Sequence, residues 1–226
     1  MSWFSAKEEA VRLKFRNKIY IPFTAKKRAR KLKCKDFTVI SNNCWGGTVY
    51  ESYGMKKLSP TVGMFIMPKD YIKFAGNLHY YLNQHLSFVK ADDSKWKSEL
   101  CHKANFGTYL IGKLSDIELH MLHYHEESVA RAKWESRVKR VNFEKMIVKF
   151  NDQNGATPKD IEDFMQLPIK NKLCFVSDKR FCVSEGVILV KQPKRCGSMG
   201  IKASREPFGD KKHFKLTDYI NALGED

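Results

Sequence analysis

Cys44 stands in the segment Ile40-Ser-Asn-Asn-Cys-Trp-Gly-Gly47, whose neighbours each have a use for a nucleophilic thiol. The β-branched run Phe37-Thr-Val-Ile40 precedes it and two glycines follow, which predicts a strand-to-helix turn at the carboxyl end of a sheet. Backbone N–H groups at a helix start attract anions and favour a thiolate. Gly46 and Gly47 would let a substrate approach the backbone, and their N–H groups would serve as an oxyanion hole. A thiol nucleophile needs a neighbouring base. His123, near the end of a strand-like stretch over 117–124, is the candidate, with His125 expected on the same strand face and His120 on the other. Asp152 follows the apolar run 146–150 by two residues and is expected on the same sheet edge, orienting His123 as the third member of a triad.

Each of these residues also has an architectural reading. Cys44 fits a buried thiol in a tight turn, His123 a hydrogen-bonded histidine at a sheet end, and Asp152 a turn former. The same loop offers Asn42 and Asn43 for sugar hydroxyls and Trp45 for stacking on a sugar ring. Ser59 could add a hydroxyl, although Ser59-Pro60 is first a turn signal. Arg137 and Arg140 lie one helical turn apart and could grip a phosphate or carboxylate, or simply form a solvated basic face. His123 and His125 lack a third ligand nearby, so no metal site is expected. The sequence leaves the cofactor unknown: it has no phosphate-binding glycine fingerprint and no DxD dyad in a glycosyltransferase setting.

The elements that would carry these side chains are legible in outline. Residues 5–20 read as a short basic helix with Val11, Leu13, Phe15 and Tyr20 as docking groups, stopped by Ile21-Pro22. Residues 24–35 read as a positively charged linker. A second apolar run covers 61–67, read as the second strand, and leads into helical spacing over 69–86. Residues 109–111 and 117–124 read as strands, and 126–140 as a helix with Ala130, Trp134, Val138 and Val141 on one stripe. Strands follow at 146–150, 173–176 and 187–190, with a helix from the cap Thr157 to Met165, where Asp160 completes a capping box, and a terminal helix over 216–223. Strands alternating with helices predict an α/β domain over 36–226 with a mainly parallel central sheet, preceded by a basic arm over 1–35.

Four blocks in order resemble a bacterial family known as domain of unknown function nineteen-nineteen, whose members carry the label exopolysaccharide biosynthesis. They are Ile40-Ser-Asn-Asn-Cys-Trp-Gly-Gly47; Leu58-Ser-Pro-Thr-Val-Gly63; His123-Tyr124 with Ala130, Trp134, Arg137 and Arg140-Val-Asn142; and Asp218-Tyr-Ile-Asn221. The resemblance spans roughly residues 36–222. It implies a place in exopolysaccharide or capsule biosynthesis, and adds Tyr124 to the substrate-binding candidates. The layout is also similar to papain-like cysteine peptidases, in which a strand-terminal cysteine is followed much later by a histidine.

Composition bounds these readings. The 226 residues are 42% hydrophobic and 29% charged, enough for one sizeable core with a solvated exterior. The acids Glu8 and Glu9 fall where a secretory signal would be apolar, and the run Val187-Ile-Leu-Val190 is far too short to span a bilayer, so a cytoplasmic protein is expected. The six cysteines, Cys196 among them, form no CxxC pair and read as thiols, mostly buried. Of the net charge of +16, residues 1–35 supply +10, from twelve Lys and Arg against two Glu. Such an arm suits the anionic inner face of a membrane, at about 1 kcal/mol per basic residue near the surface. Nucleic acid is not expected, because no nucleic-acid motif follows.

The expected activity is transfer of an acyl or glycosyl group to a glycan or its lipid- or nucleotide-linked precursor. The alternatives are a papain-like Cys-His thiol hydrolase and a non-catalytic basic binding or assembly protein.

Overall fold

A computed structural model of the chain describes residues 10–192, 200–201, 203–211 and 214–225. Cys196 and residues 5–9 of the expected arm helix lie outside these. Helix α1 covers residues 10–31 without interruption, with a π-helical turn at Arg16–Tyr20 ahead of the α-helical Ile21–Lys31. The chain continues through β1 (Thr38–Ser41), α2 (Trp45–Ser52), α3 (Pro68–Gly76), α4 (Leu78–Leu82) and β2 (Ser87–Val89). Next come α5 (Lys97–Leu100), β3 (Leu110–Leu114), β4 (Ile117–Met121) and α6 (Glu127–Val138). The last elements are β5 (Met146–Asn151), α7 (Pro158–Gln166), β6 (Lys172–Val176), β7 (Val187–Leu189), β8 (Asp210–Lys211), β9 (Phe214–Lys215) and α8 (Leu216–Ala222).

The central sheet has the order β1-β5-β6-β7 and is parallel throughout. Helices cover both its faces, as parallel sheets require. Alternation along β1 and β5 divides the core. Val39 and Ile147 point to the face covered by α2 and α8, while Ile40, Val148 and Phe150 point to the face covered by α3 and α7. The β2-β3-β4 strands form a separate antiparallel sheet, inserted between β1 and β5 in the sequence. The mainly parallel α/β class expected from the sequence is the one observed, and Thr157 and Asp160 form the capping box that opens α7.

Several local expectations fail for physical reasons. Pro22 does not end the arm helix, because the π turn before it shifts the bonding register in the turn that the proline ring would otherwise crowd. Residues 24–31 are therefore helix and no linker, held down by buried Ile21 and Ala25 and by Arg28, whose Nε donates to the Ser52 carbonyl at 2.7 Å. Val11 and Phe15, expected to dock, face outward instead. Residues 61–67 form no strand; Gly63 at φ +85° breaks the extended path, and a single bridge joins Phe65 to His120. Helical spacing over 69–86 resolves into α3 and α4, parted at Asn77. Among the described residues, no helix is long and apolar enough to cross a membrane.

Candidate functional site

The thiol of Cys44 and the imidazole of His123 meet beyond the carboxyl end of β1, with Sγ 3.7 Å from Nε2. Cys44 is the N-cap of α2, half-buried, and makes no capping bond to the first helical turn. Its Sγ also lies 3.8 Å from the Met64 carbonyl. His123 is exposed and sits in the turn after β4, which ends at Met121, so strand alternation does not place the histidines as expected. The two residues are 79 positions apart in sequence. The segment between β1 and α3 brings them together: Ile66 N–H donates to the Asn42 carbonyl at 3.0 Å, and His123 N–H donates to the Gly63 carbonyl at 3.2 Å. A Cβ at Gly63 would stand 3.2 Å from the Tyr124 ring and 3.5 Å from the His123 Cβ, which only glycine avoids.

Burial and the nearby Glu206 carboxylate push the Cys44 thiol up to about 11, outweighing the pull of Lys149 and Lys57. The helix start does not leave a standing thiolate at neutral pH, contrary to the expectation from sequence. The geometry suits a neutral thiol that passes its proton to His123 during attack.

Beneath the turn lies a polar network that the sequence reading did not find. Lys149, fully buried on β5, pairs with the fully buried carboxylate of Glu206. Its Nζ also donates to the side-chain carbonyls of Asn42 at 3.2 Å and Asn43 at 3.0 Å, so each ammonium proton has an acceptor. Glu206 accepts from Asn43 Nδ2 at 3.0 Å and Asn151 Nδ2 at 2.9 Å, and Asn42 Nδ2 donates to Asn151 Oδ1 at 2.8 Å. Asn43 Oδ1 accepts the Trp45 N–H at 3.0 Å, which fixes the start of α2 beside the thiol. Burial lowers Lys149 and raises Glu206. The one available signal was a lysine amid apolar residues in Met146-Ile-Val-Lys-Phe150, a strand buried on both faces. Glu206 has no such signal, since only the fold brings it there.

Several expected site residues prove to be supports. Asn42 and Asn43 are buried in this network and are not open to sugar hydroxyls. Trp45 is fully buried, donates Nε1–H to the Pro207 carbonyl at 2.7 Å and packs edge-on against Phe175, so it is no sugar platform. Its place in the first turn of α2 points it at the sheet. The space expected to admit substrate at Gly46 and Gly47 is taken by Val39 and Val62, each 3.3 Å from where a Cβ would lie. Their N–H groups remain at the start of α2, beside Cys44. Ser59 is buried and bonded to Thr61 at 3.0 Å, and Thr61 Oγ1 accepts the Ser41 N–H.

Asp152 does not orient His123. One of its oxygens accepts from Ser177 N–H and Oγ–H at 2.8 and 2.7 Å, the other from Ile201 N–H at 2.7 Å. These bonds close the ends of β5 and β6, and among the described residues no carboxylate is bonded to His123. The pair is a dyad. His120 is fully buried, stacked on Phe65 with ring centroids 4.5 Å apart, and burial lowers it to about 3, so it is a neutral core ring. Of the other described cysteines, Cys34 and Cys174 are buried, but Cys101 and Cys182 are exposed.

Tyr124 is buried with its hydroxyl donating to the Val62 carbonyl at 3.0 Å. Arg137 Nη1 donates to the same carbonyl at 3.2 Å and to the Tyr124 hydroxyl. Arg137 thus clamps the segment carrying His123 onto α6. Together with Arg140 it also lines a cleft of about 420 Å³ that opens between α6 and the chain after α2.

Residues 15–224 match the family described as Domain of unknown function (DUF1919). The chain belongs to this family. The match begins inside α1, so the family takes in the second half of the basic arm as well as the α/β domain. An uncharacterised protein of Haemophilus influenzae (strain ATCC 51907 / DSM 11121 / KW20 / Rd) is 31% identical over 191 residues, covering 84% of this chain and 85% of that protein.

Proposed function

We propose that this DUF1919 protein is a thiol-dependent acyl transferase acting on a glycan or its activated precursor in exopolysaccharide or capsule biosynthesis. The observation that carries the reading is the 3.7 Å approach of Cys44 Sγ to His123 Nε2 at the start of α2. As Sγ attacks an acyl carbonyl, its proton passes to Nε2 and the developing oxyanion meets the N–H groups of Gly46 and Gly47. The imidazolium then protonates the leaving group, and a thioester remains on Cys44. A sugar hydroxyl attacks that thioester while His123 takes its proton, and the returning proton restores the thiol. The four motif blocks support the pathway, and the dyad supports the chemistry.

p-Nitrophenyl acetate tests the reading in the presence and absence of a sugar acceptor. The expected result is a burst of nitrophenolate that is absent in Cys44→Ala, followed by acetylated sugar. A burst resolved only to acetate favours the thiol hydrolase, and a burst retained in Cys44→Ala removes the mechanism.

A second reading concerns the arm and rests on the exposed residues of α1. Val11, Phe15, Ile19 and Phe23 recur every four positions, and all are exposed, Phe23 by 86%. Lys14, Lys18, Lys26, Lys27, Arg30 and Lys31 are exposed around them. An apolar stripe flanked by cations suits an anionic lipid surface, which would hold the protein near lipid-linked glycans. Co-sedimentation with vesicles of phosphatidylglycerol tests it, with neutral phosphatidylcholine vesicles as the contrast. Equal or absent binding to both defeats this reading.

A further inference from the structure

The cleft lined by Arg137 and Arg140 is walled by cations from two elements. Lys133, Arg137 and Arg140 project from one face of the α6 region at the spacing i, i+4 and i+7, and Lys56 and Lys57 face them from the chain after α2. No lining residue is acidic. Lys57 alone has a carboxylate partner, Glu51 at 2.7 Å; among the described residues no carboxylate pairs with Lys56, Lys133, Arg137 or Arg140. Arg140 Nε is buried with no hydrogen-bond partner. A buried guanidinium donor left unmet is costly, and an anionic oxygen is the acceptor it would donate to. Like charges gathered around one cavity repel each other, which favours the entry of an anion. At about 420 Å³ the cleft is larger than a single phosphate needs and in the range of organic ligand sites.

The cleft and the dyad share neighbours. Arg137 is bonded to the hydroxyl of Tyr124, the residue after His123, and Val62, which also receives Arg137, packs on Gly47 of the Cys44 turn. Lys57 is close enough for its charge to act on the Cys44 thiol. We infer that this basic cleft binds a diphosphate group, and that it holds the diphosphate-bearing end of the substrate while the reacting end lies at Cys44 and His123. The substrate assignment rests on the acyl-transfer reading; the anion site does not.

The test is calorimetric titration of the full chain with inorganic pyrophosphate at low and high salt. Saturable binding to one site is expected, weakened by salt and weakened at least about tenfold in Lys56→Gln/Lys133→Gln and in Arg140→Lys. The surface double variant leaves the fold intact, and the lysine at 140 keeps the charge but loses the Nε donor. Lys26→Gln/Lys27→Gln on α1 should leave the affinity unchanged. Binding that does not saturate, or that follows the arm variant and ignores the cleft variants, overturns the site. A nucleoside diphosphate, and a prenyl diphosphate carried in phosphatidylcholine vesicles, distinguish the sources: tighter binding than pyrophosphate by the first marks a soluble substrate, by the second a lipid-linked one. Failure of both to bind overturns the substrate assignment. Cys44→Ser should bind pyrophosphate normally, so loss of the thiol mechanism and loss of this site are separable.

Discussion

Lys149 and Glu206 form an ion pair in which neither side chain touches solvent, 57 residues apart in sequence and directly beneath the turn that carries Cys44. Removing water from two charges is expensive, and the asparagines at 42, 43 and 151 offset this by supplying the remaining hydrogen bonds. Glu206→Gln is expected to cost about 3–5 kcal/mol, because Lys149 is left buried without its counter-charge. Lys149→Met should cost a similar amount, and the double variant Lys149→Met/Glu206→Gln less than the sum. Urea unfolding of the four proteins measures the coupling; additive losses would show that the pair acts separately.

The Cys44 thiol, raised to about 11 from an ordinary 9.0, gives a signed pH dependence. Between those values the unfolded chain has lost the thiol proton and the folded chain retains it, so stability falls as pH rises through that window. Cys44→Ser removes this slope, so the difference between the two proteins in denaturant midpoint should stay constant below about pH 9 and change only above it. Alkylation by iodoacetamide should climb steeply across the same range, with no plateau near neutrality. A plateau at pH 6–7 would indicate a thiolate–imidazolium pair, in contradiction to the neutral thiol.

Gly63→Ala strains the backbone at φ +85° and drives a methyl against Tyr124 and His123. A loss of about 1–3 kcal/mol is expected from the conformation. Turnover of p-nitrophenyl acetate should fall further than the folded fraction does, because the base is displaced along with the strain. Activity that tracks the folded fraction alone would mean that His123 keeps its place.

Phe23→Ser removes the most exposed aromatic ring of α1 without touching the core. Thermal stability should not change. Affinity for phosphatidylglycerol vesicles should drop at least about tenfold, in line with the roughly 1.5–3 kcal/mol of burying a large apolar side chain. Unchanged affinity would assign the attraction to charge alone.

The four strands of the parallel sheet were legible because each is a short β-branched or apolar run closed by turn residues, and a sheet buried on both faces leaves that mark in sequence; β2, β8 and β9, short and partly polar, left none. Thr157 and Asp160 were legible for a similar reason, since a capping box is completed within four residues. Cys44 and His123 were singled out by chemical type and by their position at strand ends, and they do meet. Asp152 was chosen by the same positional logic and fails, because three donors from neighbouring loops occupy its carboxylate. Trp45 was misjudged since an aromatic beside a candidate pocket looks the same in sequence whether it points to solvent or to the sheet.

By itself, the sequence determined the alternation of strand and helix, hence the parallel sheet, and the chemical types of the two residues, Cys44 and His123, that meet beyond it. Local pattern suffices there, because each element is stabilised by residues a few positions apart. Only the tertiary structure decided that Cys44 is held by a buried Lys149–Glu206 network, that Arg137 clamps Tyr124, and that cations from two distant segments share one cleft. Burial, charge pairing and dielectric depend on which groups surround an atom in space, and those groups come from anywhere along the chain.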